Sequence, residues 1–338
     1  ACGMDAIGLD ENGKARIDYD RCVSCGQCLV SCPFGAIVDK SQIFQVVRSI
    51  AEGNTVVAIV APSFVGQFGK NVTVPKFVAA MKQLGFSDVV EVAAGADVCA
   101  IEEARDFVEK VPAQQKFLAT SCCPSWRMMA RRLFPDESGN ISMTYTPMIY
   151  TARLVKHTHP GSKVVFIGPC AAKKLEAMQQ ELRSDVDFVL TYEELMGIFE
   201  AKAIDFSQLP DTDDLHDASG LGRGFAAAGG VAAAVEEVLR RTQPDMEVKI
   251  QRADGLRECR RLLTLAKAGK FDGYLLEGMA CPGGCVAGAG TIIPAEAAKK
   301  QLDAHAKQAT VFSCAESPYR AFAGLLEEPA AREEETKR

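Results

Sequence analysis

Residues 277–290 read EGMACPGGCVAGAG, and the rest of the chain is arranged around them. Cys281 and Cys285 flank a Pro-Gly-Gly turn, and Tyr274, Leu275 and Leu276 before them read as the end of a buried strand. Glycines, with no Cβ, let the backbone come close to whatever the two thiolates hold, which suits a bulky inorganic cluster better than a single ion. Read alone, the stretch also fits a glycine-rich turn with two structural cysteines acting as small hydrophobes.

The 338 residues allow roughly two domains of ~150 residues, and 48% hydrophobic content supports a large core. A net charge of −6 leaves no basic stripe for nucleic acid and no polybasic patch for a membrane surface. No stretch approaches the ~18 consecutive apolar residues of a membrane span, and the N-terminus lacks a basic-then-apolar signal sequence. Thirteen cysteines in such a chain point to ligands or catalysts in a reducing compartment rather than to disulfides. The expected class is a cytoplasmic metalloprotein, with iron and sulfide ahead of zinc.

Residues 22–33, CVSCGQCLVSCP, place Cys22, Cys25, Cys28 and Cys32 in the C-x2-C-x2-C-x3-C-P spacing of bacterial ferredoxins. Zinc would normally show two separated C-x2-C pairs. The preceding ACGMDAIGLDENGKARIDYD reads as the tail of another such motif, with Cys2 ahead of a polar hairpin. In two-cluster ferredoxins the fourth cysteine of each motif serves the other cluster. That logic groups Cys2 with Cys22, Cys25 and Cys28, and leaves Cys32 for a cluster whose other ligands precede residue 1. The alternative is a self-contained cluster that uses Cys32.

From about residue 41 strands and helices alternate. TVVAIVAPS (55–63) is a continuous apolar run, as in a strand buried on both faces. Val78, Met81 and Leu84 keep helical spacing up to Gly85. DVVEVAAGA (88–96) reads as a strand, AIEEARDFVEKV as a helix and KFLATSCC (116–123) as a strand, with Pro124 opening a helix. After a break at His159–Gly161, KVVFIGPC (163–170) is a strand and AAKKLEAMQQEL a helix. VDFVL runs into a capping box at Thr191 and Glu194. GGVAAAVEEVLRR, MEVKIQRA and the helix 257–268 lead to the strand FDGYLLEG, and the charged end EEPAAREEETKR is expected to fray.

In open α/β sheets ligands collect beyond the carboxyl ends of the strands. Cys122 and Cys123, Cys170, and Cys281 with Cys285 each follow a predicted strand. The three ends are expected to face one cleft.

TSCCPSW (120–126), GPCAAKKLE (168–176) and EGMACPGGC (277–285) resemble, in order and chemistry, the three signature motifs of FeFe hydrogenases. The resemblance covers nearly all of the chain after residue 40, and an N-terminal ferredoxin domain is that family's usual companion. It implies an α/β fold: a two-lobed catalytic domain with mostly parallel sheets flanked by helices, over 41–330. The lobes would divide near 158, with a ferredoxin-like domain over 1–40 and a charged tail over 331–338. It implies an H-cluster, a 4Fe-4S cube linked to a diiron unit carrying CO, cyanide and an amine dithiolate, beside one further 4Fe-4S cluster or two. Cys123, Cys170, Cys281 and Cys285 would hold the cube, with Cys285 bridging to the diiron unit.

The same matching makes Cys122 the proton donor and Lys173 the partner of a cyanide. The relay would run through Cys122, Glu103, Ser142 and Asp106. Ala61, Pro62, Ser63, Thr146, Pro147, Phe225 and Met279 would surround the diiron unit. Read without the resemblance, Glu103 and Asp106 are solvated carboxylates one turn apart on a helix, Lys173 is a surface lysine, and the surrounding residues are core packing. Cys99, Cys259 and Cys314 read as ordinary buried thiols, and Trp126 as packing for the helix after Cys123. His157, His159, His216 and His305 form no ligand spacing.

Three positions depart from the well-studied members. Gly168 replaces a methionine, Ser125 a glycine, and GAGT (288–291) follows the last motif; with ADGLRECRRLL these resemble the group B branch. Loss of a large side chain at 168 is expected to leave space near the diiron unit. The implied activity is reversible proton reduction to H2, with a ferredoxin-type electron carrier and maturation proteins as partners. The rival readings are an H2 or redox sensor, which would commonly lack cysteine at 122, and a non-catalytic iron-sulfur scaffold resembling the hydrogenase-like assembly proteins, which lack the Cys122 and Lys173 pocket.

Overall fold

The computed structural model describes residues 2–211, 215 and 218–326; His216 and the charged tail lie outside them. The N-terminal module begins with an antiparallel hairpin, β1 (Ile7–Leu9) and β2 (Ala15–Ile17), followed by a short helix α1 (Gln27–Ser31). Then come α2 (Ile43–Ala51), β3 (Val56–Val60), α3 (Val74–Leu84), β4 (Asp88–Glu91), α4 (Val92–Lys110), β5 (Leu118–Ala119) and α5 (Pro124–Leu133). After α6 (Pro147–Thr158) the chain forms β6 (Lys163–Gly168), α7 (Ala172–Ala177), β7 (Phe188–Thr191) and α8 (Tyr192–Ala201). It closes with α9 (Gly220–Gly224), α10 (Gly230–Thr242), β8 (Lys249–Asp254), α11 (Leu256–Lys267), β9 (Tyr274–Met279) and α12 (Ala295–Ala306).

Two parallel sheets carry the chain after the N-terminal module, one in the order β4-β3-β6-β7 and the other β5-β9-β8. The expected division near residue 158 therefore does not describe the sheets, because each draws strands from both sides of it. Strand pairing is long-range and leaves no local mark in the sequence, whereas the break at His159–Gly161 marks only the end of a helix. β3 is buried at all five positions, as its unbroken Val/Ile/Ala run requires between two helical layers. One face of its sheet packs α3 and α8 through Phe77, Met81, Tyr192 and Phe199, and the other packs α6 through Met148, Ile149 and Ala152. In the second sheet, α4 and α10 cover one face, and α5 and α11 the other.

Several local expectations hold. The helix carrying Val78, Met81 and Leu84, α3, ends at Gly85 (φ 104°), and Thr191 with Glu194 forms the capping box of α8. One does not: the strand expected over 88–96 stops at Glu91, and α4 starts at once. Val92–Ala100 are all buried, because α4 runs between α6 and α10. Apart from Asp97 this stretch is apolar on every side, and such a helix shows no 3.6-residue pattern to read. Gly95 is needed there, since a Cβ would strike Pro147 O and Thr151 on α6. The strand expected over 116–123 is likewise only Leu118–Ala119, and the helix after Cys170 only Ala172–Ala177.

Candidate iron-sulfur site

Because the paired strands run parallel, their carboxyl ends point the same way, and the loops leaving them meet between the two sheets. Cys122 and Cys123 follow β5, Cys170 follows β6, Cys281 and Cys285 follow β9, and Ala61 and Pro62 follow β3. All of these line one almost wholly apolar cavity, together with Lys173, Pro147, Phe225 and Met279. Among the described residues no three His, Cys, Asp or Glu side chains close on a point as a single ion would require. The thiols ring a space instead, which fits a cluster.

Burial sets the protonation of these thiols. Burial pushes Cys170 up to about 11 and Cys285 up to about 12, and the neighbouring Cys170 and Cys123 add to the latter. Cys281 is raised well above the usual thiol range by burial and then by Cys170, Cys123 and Cys285. Thiols packed this deeply ionise only against a metal's charge.

Cys122 is raised most by burial and next by the charge of Glu103, so it rests as a neutral thiol. Lys173 is 9% exposed, not a surface lysine. Its Nζ donates to Glu176 Oε2 at 2.6 Å and to Cys122 O at 3.4 Å. Burial disfavours its charge, but Glu176, Cys170 and Cys122 outweigh this and hold its pKa above the ordinary value.

Glu103 is fully buried rather than solvated. Burial, opposed by hydrogen bonds from Ser121, moves its carboxyl up to about 7. Among the described residues Oε2 has no hydrogen-bonding partner. Ser142 Oγ donates to Asp106 Oδ2 at 3.2 Å, and Lys110 Nζ lies 2.8 Å from the same oxygen at a partly exposed point. No hydrogen bond joins Glu103 to Ser142; Ser121, whose hydroxyl also reaches Thr144 O at 2.6 Å, lies between Glu103 and that segment. The sequence reading missed Ser121, although its place beside Cys122 is a local clue.

Two other expectations need correcting. Ser63 turns away from the cavity, its Oγ 2.8 Å from Tyr192 OH, because β3 ends in a tight helical turn at Pro62–Phe64. Thr146 occupies the N-cap position of α6 without a side-chain cap, and Pro147 and Met148 line the cavity in its place. The space expected opposite Gly168 is filled: the ring of Phe166 occupies it. Cys99, Cys259 and Cys314 are buried, and Trp126 is enclosed with Nε1 donating to Thr120 O at 3.0 Å.

In the N-terminal module, burial raises Cys25, with Cys2, Cys28 and Cys22 as the charged neighbours; Cys28 responds to burial and to Cys22 and Cys2. Cys32 is lowered, chiefly by the backbone N–H groups of Ala36 and Phe34. Cys2, Cys22 and Cys28 are thus the thiols whose charge is felt at Cys25, whereas Cys32 is held by the backbone amides that follow it, Ala36 N lying 3.4 Å from its Sγ. Cys25 also lines the same apolar cavity, near enough to Cys281 for its charge to be felt there. This approach needs Gly26 (φ 76°), where a Cβ would overlap the Cβ of Ala289.

Parallel sheets whose strand ends converge on buried thiols, with a ferredoxin-type module docked against them, define an iron-sulfur protein of hydrogenase-like fold. The chain belongs to the iron-only hydrogenase family: the model of the large subunit's C-terminal domain matches residues 54–289, and a 4Fe-4S binding domain matches residues 14–37. It is 31% identical to the NADP-reducing hydrogenase subunit HndD of Solidesulfovibrio fructosivorans, over 80% of this chain and 55% of that one. It is 30% identical to the periplasmic Fe hydrogenase large subunit of Nitratidesulfovibrio vulgaris, over 81% and 85%. This chain thus spans about half the length of the first relative. Cytosolic iron-sulfur assembly component 3 of Bos taurus is 26% identical over 87% of this chain and 76% of its own. A solved FeFe hydrogenase, from work on oxygen inactivation of its 2Fe subcluster, shares the fold with a TM-score of 0.71 at 20% identity, over 86% and 96%. Among the described residues no helix is long and apolar enough to cross a membrane.

Proposed function

We propose that the cavity holds an H-cluster and that the protein interconverts protons and electrons with H2. The observation that carries this is the meeting, in one apolar cavity, of Cys123, Cys170, Cys281 and Cys285 with a fifth thiol, Cys122, and a buried lysine, Lys173. In this reading the four cysteines would hold the cube, and Cys285 would also serve the diiron unit. When bound, that unit supplies the redox chemistry of hydrogen; the protein supplies geometry, dryness and proton access.

Cys122 presents its sulfhydryl to the cavity and hands over or takes back a proton. Glu103, near neutrality, can both accept and release one, as a general acid-base group should. Ser142 and Asp106 connect the buried segment to the partly exposed Lys110. Lys173, anchored by Glu176, directs a fixed positive charge into the dry pocket, where it suits an anionic ligand. Around the unit, Ala61, Pro62, Pro147, Phe225 and Met279 exclude water. Cys2, Cys22, Cys25 and Cys28 would hold an N-terminal 4Fe-4S cluster, which would supply electron transfer from a small carrier of ferredoxin type. The compartment is the reducing cytoplasm.

The relatedness to iron-sulfur assembly components supports a second reading, a non-catalytic scaffold. Infrared spectroscopy after loading with the diiron unit, followed by a hydrogen assay, separates the two. CO and cyanide bands with turnover support the hydrogenase; absence of those bands supports the scaffold, and bands with negligible turnover a sensor.

A further inference from the structure

Phe166 and Gly168 lie on the same face of β6, two residues apart, at the end nearest the cavity. A Cβ at position 168 would stand 2.5 Å from both Cε1 and Cζ of Phe166 and 3.1 Å from the Cβ of Ala61. The far edge of the ring therefore lies where a side chain at 168 would begin. This is not a flexible tip that can step aside. Phe166 is 3% exposed and packs in the cluster of Ile59, Ala61, Val92 and Met148. The strand beneath is equally constrained, since Ala61 N donates to Ile167 O at 2.8 Å. Phe166 also lines the cavity, with Cys170 and Lys173.

We propose that Phe166 is the residue that sets the size of the cofactor cavity on its sheet side, by filling the place that Gly168 leaves free. The two positions form one unit of volume: either a ring at 166 with glycine at 168, or a small residue at 166 with a larger one at 168. Phe166 is thus a positioning and specificity residue for what the cavity holds, and it rests on the H-cluster reading only in the identity of that occupant.

The test is a reciprocal swap, made on protein carrying its iron-sulfur clusters. Crystals under xenon pressure should show no xenon between Ala61 and Gly168 in the wild type, a site there in Phe166→Ala, and loss of that site in Phe166→Ala/Gly168→Met, since methionine adapts to irregular space. Xenon in the wild type at that place, or none in Phe166→Ala, overturns the proposal. Thermal midpoints give a second readout that needs no crystals. Gly168→Met alone should lower the midpoint by about 5 °C or more, and the same change in the Phe166→Ala background should raise it; additive losses overturn the coupling. After diiron loading, the CO bands of Phe166→Ala should shift and those of the double variant shift back. Identical bands in all variants would end the role of Phe166 toward the cofactor while leaving the hydrogenase reading intact. Failure of the wild type to take up the unit would end that reading, with the xenon and thermal results still deciding the wall.

Discussion

Ser121 holds Glu103 by two atoms at once, its backbone N–H at 2.8 Å and its hydroxyl at 3.1 Å from the same Oε1, while Oε2 finds no partner among the described residues. Two donors on one oxygen do not offset complete burial, and the carboxyl moves from 4.5 up to about 7. The folded protein therefore keeps a proton on Glu103 that the unfolded chain releases, so stability falls as pH rises from about 4.5 to about 7. The loss contributed by this one group is up to about 3 kcal/mol. Glu103→Gln should flatten that slope, measured as the difference in thermal midpoint between about pH 5 and pH 8. It should also slow hydrogen turnover by about 100-fold. A slope equal to the wild type's would show that Glu103 ionises freely.

Cys122 lines the cavity without belonging to the four cysteines assigned to the cube. Cys122→Ala should leave iron content unchanged and reduce turnover by about 100-fold or more, the usual worth of a positioned proton donor. Parallel loss of iron would make it a ligand, and unchanged turnover would remove it from the route.

The grouping of Cys2 with Cys22, Cys25 and Cys28 predicts an asymmetry between two cysteines of similar appearance in the sequence. Cys2→Ser should abolish the electron paramagnetic resonance signal of the reduced N-terminal cluster, and Cys32→Ser should retain it. The opposite pattern would restore the self-contained arrangement.

Lys174 Nζ joins Asp39 Oδ2 at 2.9 Å, Glu194 Oε1 at 3.0 Å and Lys40 O at 3.0 Å, so α7 grips the end of the N-terminal module. Lys174→Met leaves two carboxylates facing each other. The expected loss is about 2 kcal/mol, less than for a fully buried pair because Asp39 is partly solvated. Lys299→Met, at an exposed ion pair with Asp303, serves as the control and should cost under about 0.5 kcal/mol. Urea unfolding followed at both modules checks this; equal effects of the two substitutions would show that the grip is weak.

Much of this arrangement was legible before any coordinates. The C-x2-C spacing, the glycine-flanked Cys281 and Cys285, the unbroken apolar strands and the Thr191–Glu194 cap are short-range patterns, each governed by backbone freedom or side-chain periodicity over a few residues. They were enough to place three thiol-bearing loops at strand ends, and parallel sheets then bring such ends together. The beginning of α4 at Val92 escaped because a run of small apolar residues buried on all sides looks the same as strand or helix.

What the residues by themselves determined is the inventory: which thiols exist, what turns they sit on, and which strands must be buried. Tertiary structure alone decided the partners. That β3 pairs with β6 across a hundred residues, that Glu103 is dry, that Phe166 takes the volume Gly168 gives up and that Ser63 faces Tyr192 all depend on groups distant in the chain. Burial and volume are properties of the assembled interior, and no local pattern encodes what will stand on the other side of a side chain.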